Sequence, residues 1–197
     1  MCSRRASISL LLLAAAACST RRPVTADAGV SPPAIEVRGP RGELVLSLVP
    51  RAVGWALRLP GTPQLLVRVS DQGAEVRERD DRATLLRPGA AGMGLDLPDG
   101  RRYRVTHGAD RVTVVDAQGV IQVAVEGSIA RDGGGRILHT LAPGGDRLLV
   151  LGADGERLGT VHNLPAGPAA TLLAAAPLDP RARVAVATYL LSLAPSP

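Results

Sequence analysis

The chain of 197 residues contains no lysine and no phenylalanine, and it has only one tryptophan, two tyrosines and two cysteines. Without lysine there is no P-loop and no Ser-x-x-Lys acylation site, because both motifs require that amine. A Gly-x-Ser-x-Gly nucleophile elbow is also missing, since Glu126 and Ala130 occupy the two glycine positions around Ser128. The sequence therefore excludes several hydrolase and nucleotide-binding classes that carry linear motifs.

All 23 basic residues are arginine, against 18 acidic residues, and arginine, alanine, glycine and proline are abundant. This composition is typical of a GC-rich gene, so the arginines do not by themselves indicate phosphate binding. Removing Arg4 and Arg5 with a leader leaves 21 arginines and a net charge of +3. We therefore expect no nucleic-acid partner.

The N-terminus begins with Arg4 and Arg5, continues with an apolar run over 8–17, and reaches Cys18 directly after Ala15, Ala16 and Ala17. A positive start, a short apolar stretch and small residues before a cleavage point predict a signal peptide over 1–17. The cysteine after small residues resembles the lipobox of bacterial lipoproteins, which implies acylation of Cys18. An ordinary secretory peptide cut near Ala17 and a buried N-terminal helix are the alternatives.

Cysteine usage favours the lipoprotein interpretation. Cys2 lies in the leader, so the exported chain keeps Cys18 alone, at its very N-terminus. Two acyl chains suffice for stable attachment to a membrane. Ser19 follows instead of aspartate, and the resemblance then implies an outer-membrane protein facing the periplasm. Residues 18–33 carry three prolines and small polar residues, which predicts a flexible tether after the lipidated cysteine.

Residues 34–197 are predicted to form one mainly β domain. Short aliphatic runs are separated by turn dipeptides such as Gln72-Gly73 and Asp99-Gly100, a pattern that indicates an antiparallel meander of about 12 short strands. We expect the meander to form a closed or nearly closed barrel. The predicted strands are 35–37, 44–49, 53–59, 65–69, 103–106, 112–115, 120–125, 137–141, 148–151 and 158–161.

One internal repeat supports the hairpin pattern. Residues 110–125 and 146–161 share an Asp-Arg pair, an Ala-x-Gly turn and a final valine, at an offset of 36 residues. The shared positions favour a duplicated hairpin.

Two helices are predicted at the C-terminus, over about 169–176 and 181–193, with Asp179-Pro180 as a cap and first-turn proline. Beyond Arg183 the second helix has no charged face, so it must be buried on all sides. It is too short for a comfortable membrane span, and the barrel interior is the place that encloses it. The alternative is a β-sandwich with the helix packed outside.

The strand meander of 102–125 and 138–161, followed by the apolar helix of 179–191, resembles the tubby-like superfamily, which includes the phospholipid scramblases and LURP-one proteins. The resemblance is architectural and covers about 34–193. It implies a barrel threaded by its terminal helix, and it assigns no functional residue, because the lipid-binding cations of that family have no counterpart here.

No catalytic, cofactor-binding or metal-binding residue emerges from the sequence. His107, His139 and His162 are predicted to be unrelated surface histidines at three strand ends, without metal-ligand spacing. The mixed-sign run 77–82 predicts a solvated hairpin, and Trp55 is predicted to belong to the core.

Two functions remain open from the sequence. The favoured one is a noncatalytic, lipid-anchored envelope protein whose β domain binds a lipid or protein partner. The other is an exported hydrolase whose residues meet only in the fold. A histidine within hydrogen-bond reach of a carboxylate or serine, inside a concave pocket, would favour the enzyme.

Overall fold

A computed structural model describes residues 32–78, 82–89 and 92–193. The predicted leader over 1–17, the acylation site Cys18 and all of the predicted tether but its last two residues lie outside the described residues. The described residues belong to one compact unit.

The described chain forms fourteen strands followed by two helices. Their bounds are β1 Ile35–Arg38, β2 Leu44–Pro50, β3 Trp55–Arg58, β4 Leu65–Ser70, β5 Gly73–Arg77, β6 Ala83–Gly89, β7 Gly92–Asp96, β8 Arg102–His107, β9 Arg111–Asp116, β10 Ile121–Glu126, β11 Ile129–Arg131, β12 Ile137–Pro143, β13 Arg147–Leu151, β14 Arg157–His162, α1 Pro168–Ala174 and α2 Pro180–Leu193.

The strands form a closed antiparallel barrel, as the sequence predicts. Each strand pairs with its neighbours in the chain, and β1 closes the barrel by pairing with β14, with Val37 opposite Val161. The structure has fourteen strands, whereas the sequence predicts about twelve and assigns ten segments; β5, β6, β7 and β11 are the four strands without an assigned segment. Two of these, β5 and β7, begin with glycine and have few β-branched residues, so their strand signal is weak.

The repeated segments form equivalent hairpins. Val112 of β9 pairs with Val125 of β10, and Leu148 of β13 pairs with Val161 of β14, so the register is conserved at the 36-residue offset. All four side chains are buried in the lumen. The turns require left-handed backbone at Gly119 and Gly155, with φ of 85° and 84°, which glycine adopts without steric cost.

Both helices lie inside the barrel. Eight consecutive residues of α2, Ala182–Tyr189, are buried, which is possible only when the helix is enclosed on every side. The central residues of α1 are buried as well. The sandwich alternative is therefore wrong. Leu190 is only half-buried, and Leu193 is 49% exposed, because the last turn of α2 emerges from the lumen. Within the described ranges, no helix has the length and apolar character needed to cross a bilayer.

The two ends of the barrel differ. At the linker end, defined by the β1–β2 turn (39–43) and the α1–α2 linker (175–179), Arg101 in the β7–β8 turn contacts Asp179. At the terminal end, defined by the β8–β9 turn (108–110) and the last turn of α2, β1 begins and α2 finishes. The antiparallel helix pair therefore runs from the terminal end to the linker end and back.

Candidate functional site

The helix pair leaves one side of the lumen open at the linker end. α2 packs mainly against β4, β5 and β6, while α1 packs against β10 and β11. A cleft of about 480 Å³ lies against the remaining wall, formed by β12, β13, β14, β1 and β2. Its lining residues are Val37, Arg38, Gly39, Pro40, Val45, Leu138, His139, Val150, Leu158, Gly159, Ala174, Ala176, Pro177 and Arg183. This volume is in the range of about 300–1,000 Å³ that small-molecule sites occupy.

Arg183 brings a buried positive charge to this cleft. It lies in the first turn of α2 and is only 6% exposed. Its Nη1 donates a hydrogen bond of 2.9 Å to the carbonyl oxygen of Leu173, near the end of α1. Its Nε is buried and has no hydrogen-bond partner in the described part of the chain. One carbonyl therefore uses only one of the five donors that a guanidinium offers.

The carboxylate nearest in sequence is already engaged. Asp179 caps α2 through the backbone N–H of Arg181 at 2.9 Å, and its side chain forms ion pairs with Arg101 and Arg181. The backbone N–H of Arg183 donates to the backbone carbonyl of Asp179 at 3.0 Å. Within the described residues the Asp179 carboxylate makes no hydrogen bond or ion pair with the Arg183 guanidinium and acts on it only through its charge. Burial lowers the pKa of Arg183, which the charge of Asp179 opposes only in part. Among residues 32–78, 82–89 and 92–193, no carboxylate lies within ion-pair distance of Arg183.

His139 is the second buried polar side chain of the cleft. It is 2% exposed and its Nε2 lies 3.0 Å from the carbonyl oxygen of Thr171 in α1. A carbonyl only accepts hydrogen bonds, so Nε2 carries the proton in the neutral imidazole and Nδ1 is left as an acceptor. Burial lowers the pKa of His139, and the nearby charge of Arg183 lowers it further. The imidazole is therefore neutral at pH 7, and Arg183 is the cationic group deep in the cleft.

The rest of the lining is mostly apolar. Arg38, at the rim, is the other charged residue, and its guanidinium is held by Glu36 at 2.7 Å and 2.9 Å and by the carbonyl oxygen of Gly42 at 3.0 Å. Leu158, also in the lining, is 38% exposed at the mouth. The cleft thus combines one deep cation without a carboxylate partner and an apolar wall that reaches solvent.

The other residues that the sequence singles out do not join this cleft. His107 is exposed and its ring stacks edge-on against Tyr189, with centroids 5.7 Å apart. His162 is half-buried and its Nε2 lies 3.0 Å from the hydroxyl of Thr160. Ser128 lies between β10 and β11, and Trp55 is half-buried at the start of β3. Cys18 is outside the described residues.

The prediction of three surface histidines is wrong for His139. This residue lies in the middle of β12, and it is buried because its side chain points into the lumen. Within the described residues, none of the three histidines forms a hydrogen bond with a carboxylate or a serine. Within the same residues, no group of three histidine, cysteine, aspartate or glutamate side chains has a geometry that could hold a metal ion.

Sequence reasoning did not single out Arg183 as a candidate site residue. The available signal was Arg183 itself, the one charged residue in the run Ala182–Tyr189. His139, which also lines the cleft, lies 44 residues from Arg183 in the chain, and only the closed barrel brings the two residues to the same cleft.

Comparisons with known proteins give no match: no family model matches the chain, and no curated protein or solved structure is detectably similar to it.

Proposed function

We propose that the protein is a noncatalytic, lipid-anchored envelope protein, and that its barrel is a binding module for a small anion held by Arg183. The observation that carries the binding function is a buried guanidinium, without a carboxylate partner, on the wall of a cleft. A buried charge that lacks a partner costs several kcal/mol of folding free energy, about 3–5 kcal/mol when a pair is broken. An anion in the cleft would offset that cost, so binding is coupled to stability.

A thermal-stability measurement tests this function. The full chain carrying Cys18→Ser, which cannot be acylated at that position, is melted in sodium butyrate and in sodium chloride at equal ionic strength. We expect the midpoint to rise with butyrate concentration, and Arg183→Met to abolish the rise. Arg181→Met is the matched control, because Arg181 lies two residues away and pairs with Glu78 at 2.6 Å. Equal midpoints in both salts would contradict the proposal.

The anchor rests on Cys18. A charged and apolar leader that ends at the only cysteine of the exported chain supports acylation there and an outer-membrane location facing the periplasm. We expect the wild-type chain to label with a fatty-acid probe and to fractionate with membranes, whereas Cys18→Ser should be released or stalled. Soluble and unlabelled wild-type protein would contradict the proposed anchor, but it would not bear on the proposed anion binding in the cleft.

Kinship with the tubby-like superfamily is also a proposal. Its support is the closed antiparallel barrel that encloses a terminal apolar helix. Two features differ from a simple version of that architecture, namely fourteen strands and a second enclosed helix, α1. The binding function proposed above depends on Arg183 and not on this kinship.

A further inference from the structure

We infer that the ligand of the cleft is a single-chain amphiphile with one negative charge, such as a medium-chain alkyl carboxylate. This inference rests on the proposed anion-binding function and adds the class of ligand. It follows from the way charge and apolar surface are distributed along the cleft, from its deep end at Arg183 to its mouth at Leu158.

The charge balance selects a monoanion. Arg183 is the one cation of the cleft that lacks a carboxylate partner in the described chain, because Arg38 is paired with Glu36 at the rim. His139 is neutral and presents an acceptor at Nδ1, so it adds no second positive charge. A ligand with two negative charges would bring one unpaired charge into a buried site, which is costly. A carboxylate matches a guanidinium in charge and in planar geometry.

The apolar wall selects an attached hydrocarbon chain. Five valine and leucine side chains line the cleft, with Leu158 partly exposed at the mouth and Leu138 and Val45 half-buried. A small hydrophilic anion would leave this surface in contact with water. A linear chain would cover it and bury apolar area on binding. The five residues are Val37, Val45, Leu138, Val150 and Leu158.

A series of alkyl carboxylates tests the inference by titration calorimetry. The full chain carrying Cys18→Ser is titrated with butanoate, hexanoate, octanoate and decanoate, each below its micellar concentration. Each methylene that is fully buried should strengthen binding about fourfold, so octanoate should bind at least tenfold more tightly than butanoate. Binding should stop improving once the chain reaches the mouth of the cleft.

Two variants separate the head from the tail. Arg183→Met should lower the affinity for octanoate at least about tenfold, because a charge-assisted hydrogen bond is lost. Arg181→Met should change this affinity less than about twofold. Ala174→Leu narrows the apolar part of the cleft, and should weaken octanoate more than butanoate. Decanol and decyltrimethylammonium have the chain without the negative charge, and should bind at least about tenfold more weakly than decanoate.

The outcomes that overturn the inference are distinct from those that overturn the proposed function. Affinity that depends on Arg183 but is equal for butanoate and octanoate would refute the amphiphile and keep the anion site. Equal affinities for decanol and decanoate would refute the requirement for charge. If no carboxylate binds in a manner that depends on Arg183, both the inference and the proposed function are wrong.

Discussion

In the absence of ligand, the Arg183→Met variant should be at least as stable as the wild type, although the substitution removes a hydrogen bond inside the lumen. The reason is that Arg183 is 94% buried and pairs with no carboxylate in the described chain. A side chain retained for stability alone should be costly to remove. A side chain retained for binding should not be costly to remove, because the free-energy cost of burying its charge is removed with it.

The expected change in the free energy of unfolding follows from two opposing contributions. The bond from Nη1 to the carbonyl of Leu173 has a charged donor, so its loss costs about 1.5–3 kcal/mol. Removal of a desolvated cation returns several kcal/mol, and replacing a buried charge by an apolar side chain of similar volume is often neutral or stabilising by about 1–4 kcal/mol. We therefore expect a free energy of unfolding between unchanged and about 4 kcal/mol higher.

The assay is urea unfolding of the full chain carrying Cys18→Ser, in chloride buffer without added carboxylate, followed by circular dichroism. Arg181→Met is the control, because it removes a partly exposed ion pair with Glu78 that contributes about 1 kcal/mol or less. A loss of more than about 2 kcal/mol in Arg183→Met, at an unchanged m-value, would show that the bond to Leu173 dominates. That result would refute the argument that Arg183 is retained for a ligand.

Three further predictions concern the barrel. First, Gly73→Ala should destabilise the protein by more than Gly119→Ala in urea unfolding: both have positive φ, of 128° and 85°, but a Cβ at Gly73 would collide with the backbone oxygen of Leu86, whereas Gly119 faces open space. Second, Ala187→Asp should cost about 3 kcal/mol or more in the same assay, while Ser192→Asp, exposed on the same helix, should cost much less; similar losses would contradict burial of α2. Third, burial lowers the pKa of His139 from 6.5, so the unfolded state binds more protons and stability should fall as the pH drops below about 6.5. When unfolding is measured as a function of pH, His139→Gln should lack this loss of stability. A variant with the same pH profile as the wild type would contradict the burial of a neutral imidazole.

The closed barrel could be predicted because its determinants are local. Turn glycines such as Gly119 and Gly155 recur at regular spacing, and the run Ala182–Tyr189 has one charged residue, so both hairpins and an enclosed helix follow from short segments. Of the strands that sequence reasoning missed, β5, β6 and β7 pair with one another between β4 and β8, and β11 pairs with β10 and β12.

The cleft could not be predicted because it depends on how the helices sit in the lumen. His139 resembles a surface histidine in sequence, and only its position in β12 turns it toward Thr171 of α1. The Arg183 guanidinium donates to the carbonyl oxygen of Leu173 in the other helix. The nearby carboxylate of Asp179 pairs with Arg101 and Arg181 instead, and only the folded structure shows this. Charge balance in a buried site is a property of the assembled lumen.

The measurement that tests the central claim most directly is nuclear magnetic resonance of the arginine Nε–H groups during titration with octanoate. The resonance of Arg183, identified by its absence in Arg183→Met, reports on the buried donor that has no partner in the described chain. We expect it to shift and to saturate as octanoate binds, while the resonance of Arg181 stays in place. An Arg183 resonance that does not move while calorimetry shows octanoate bound would place the ligand elsewhere and contradict the account.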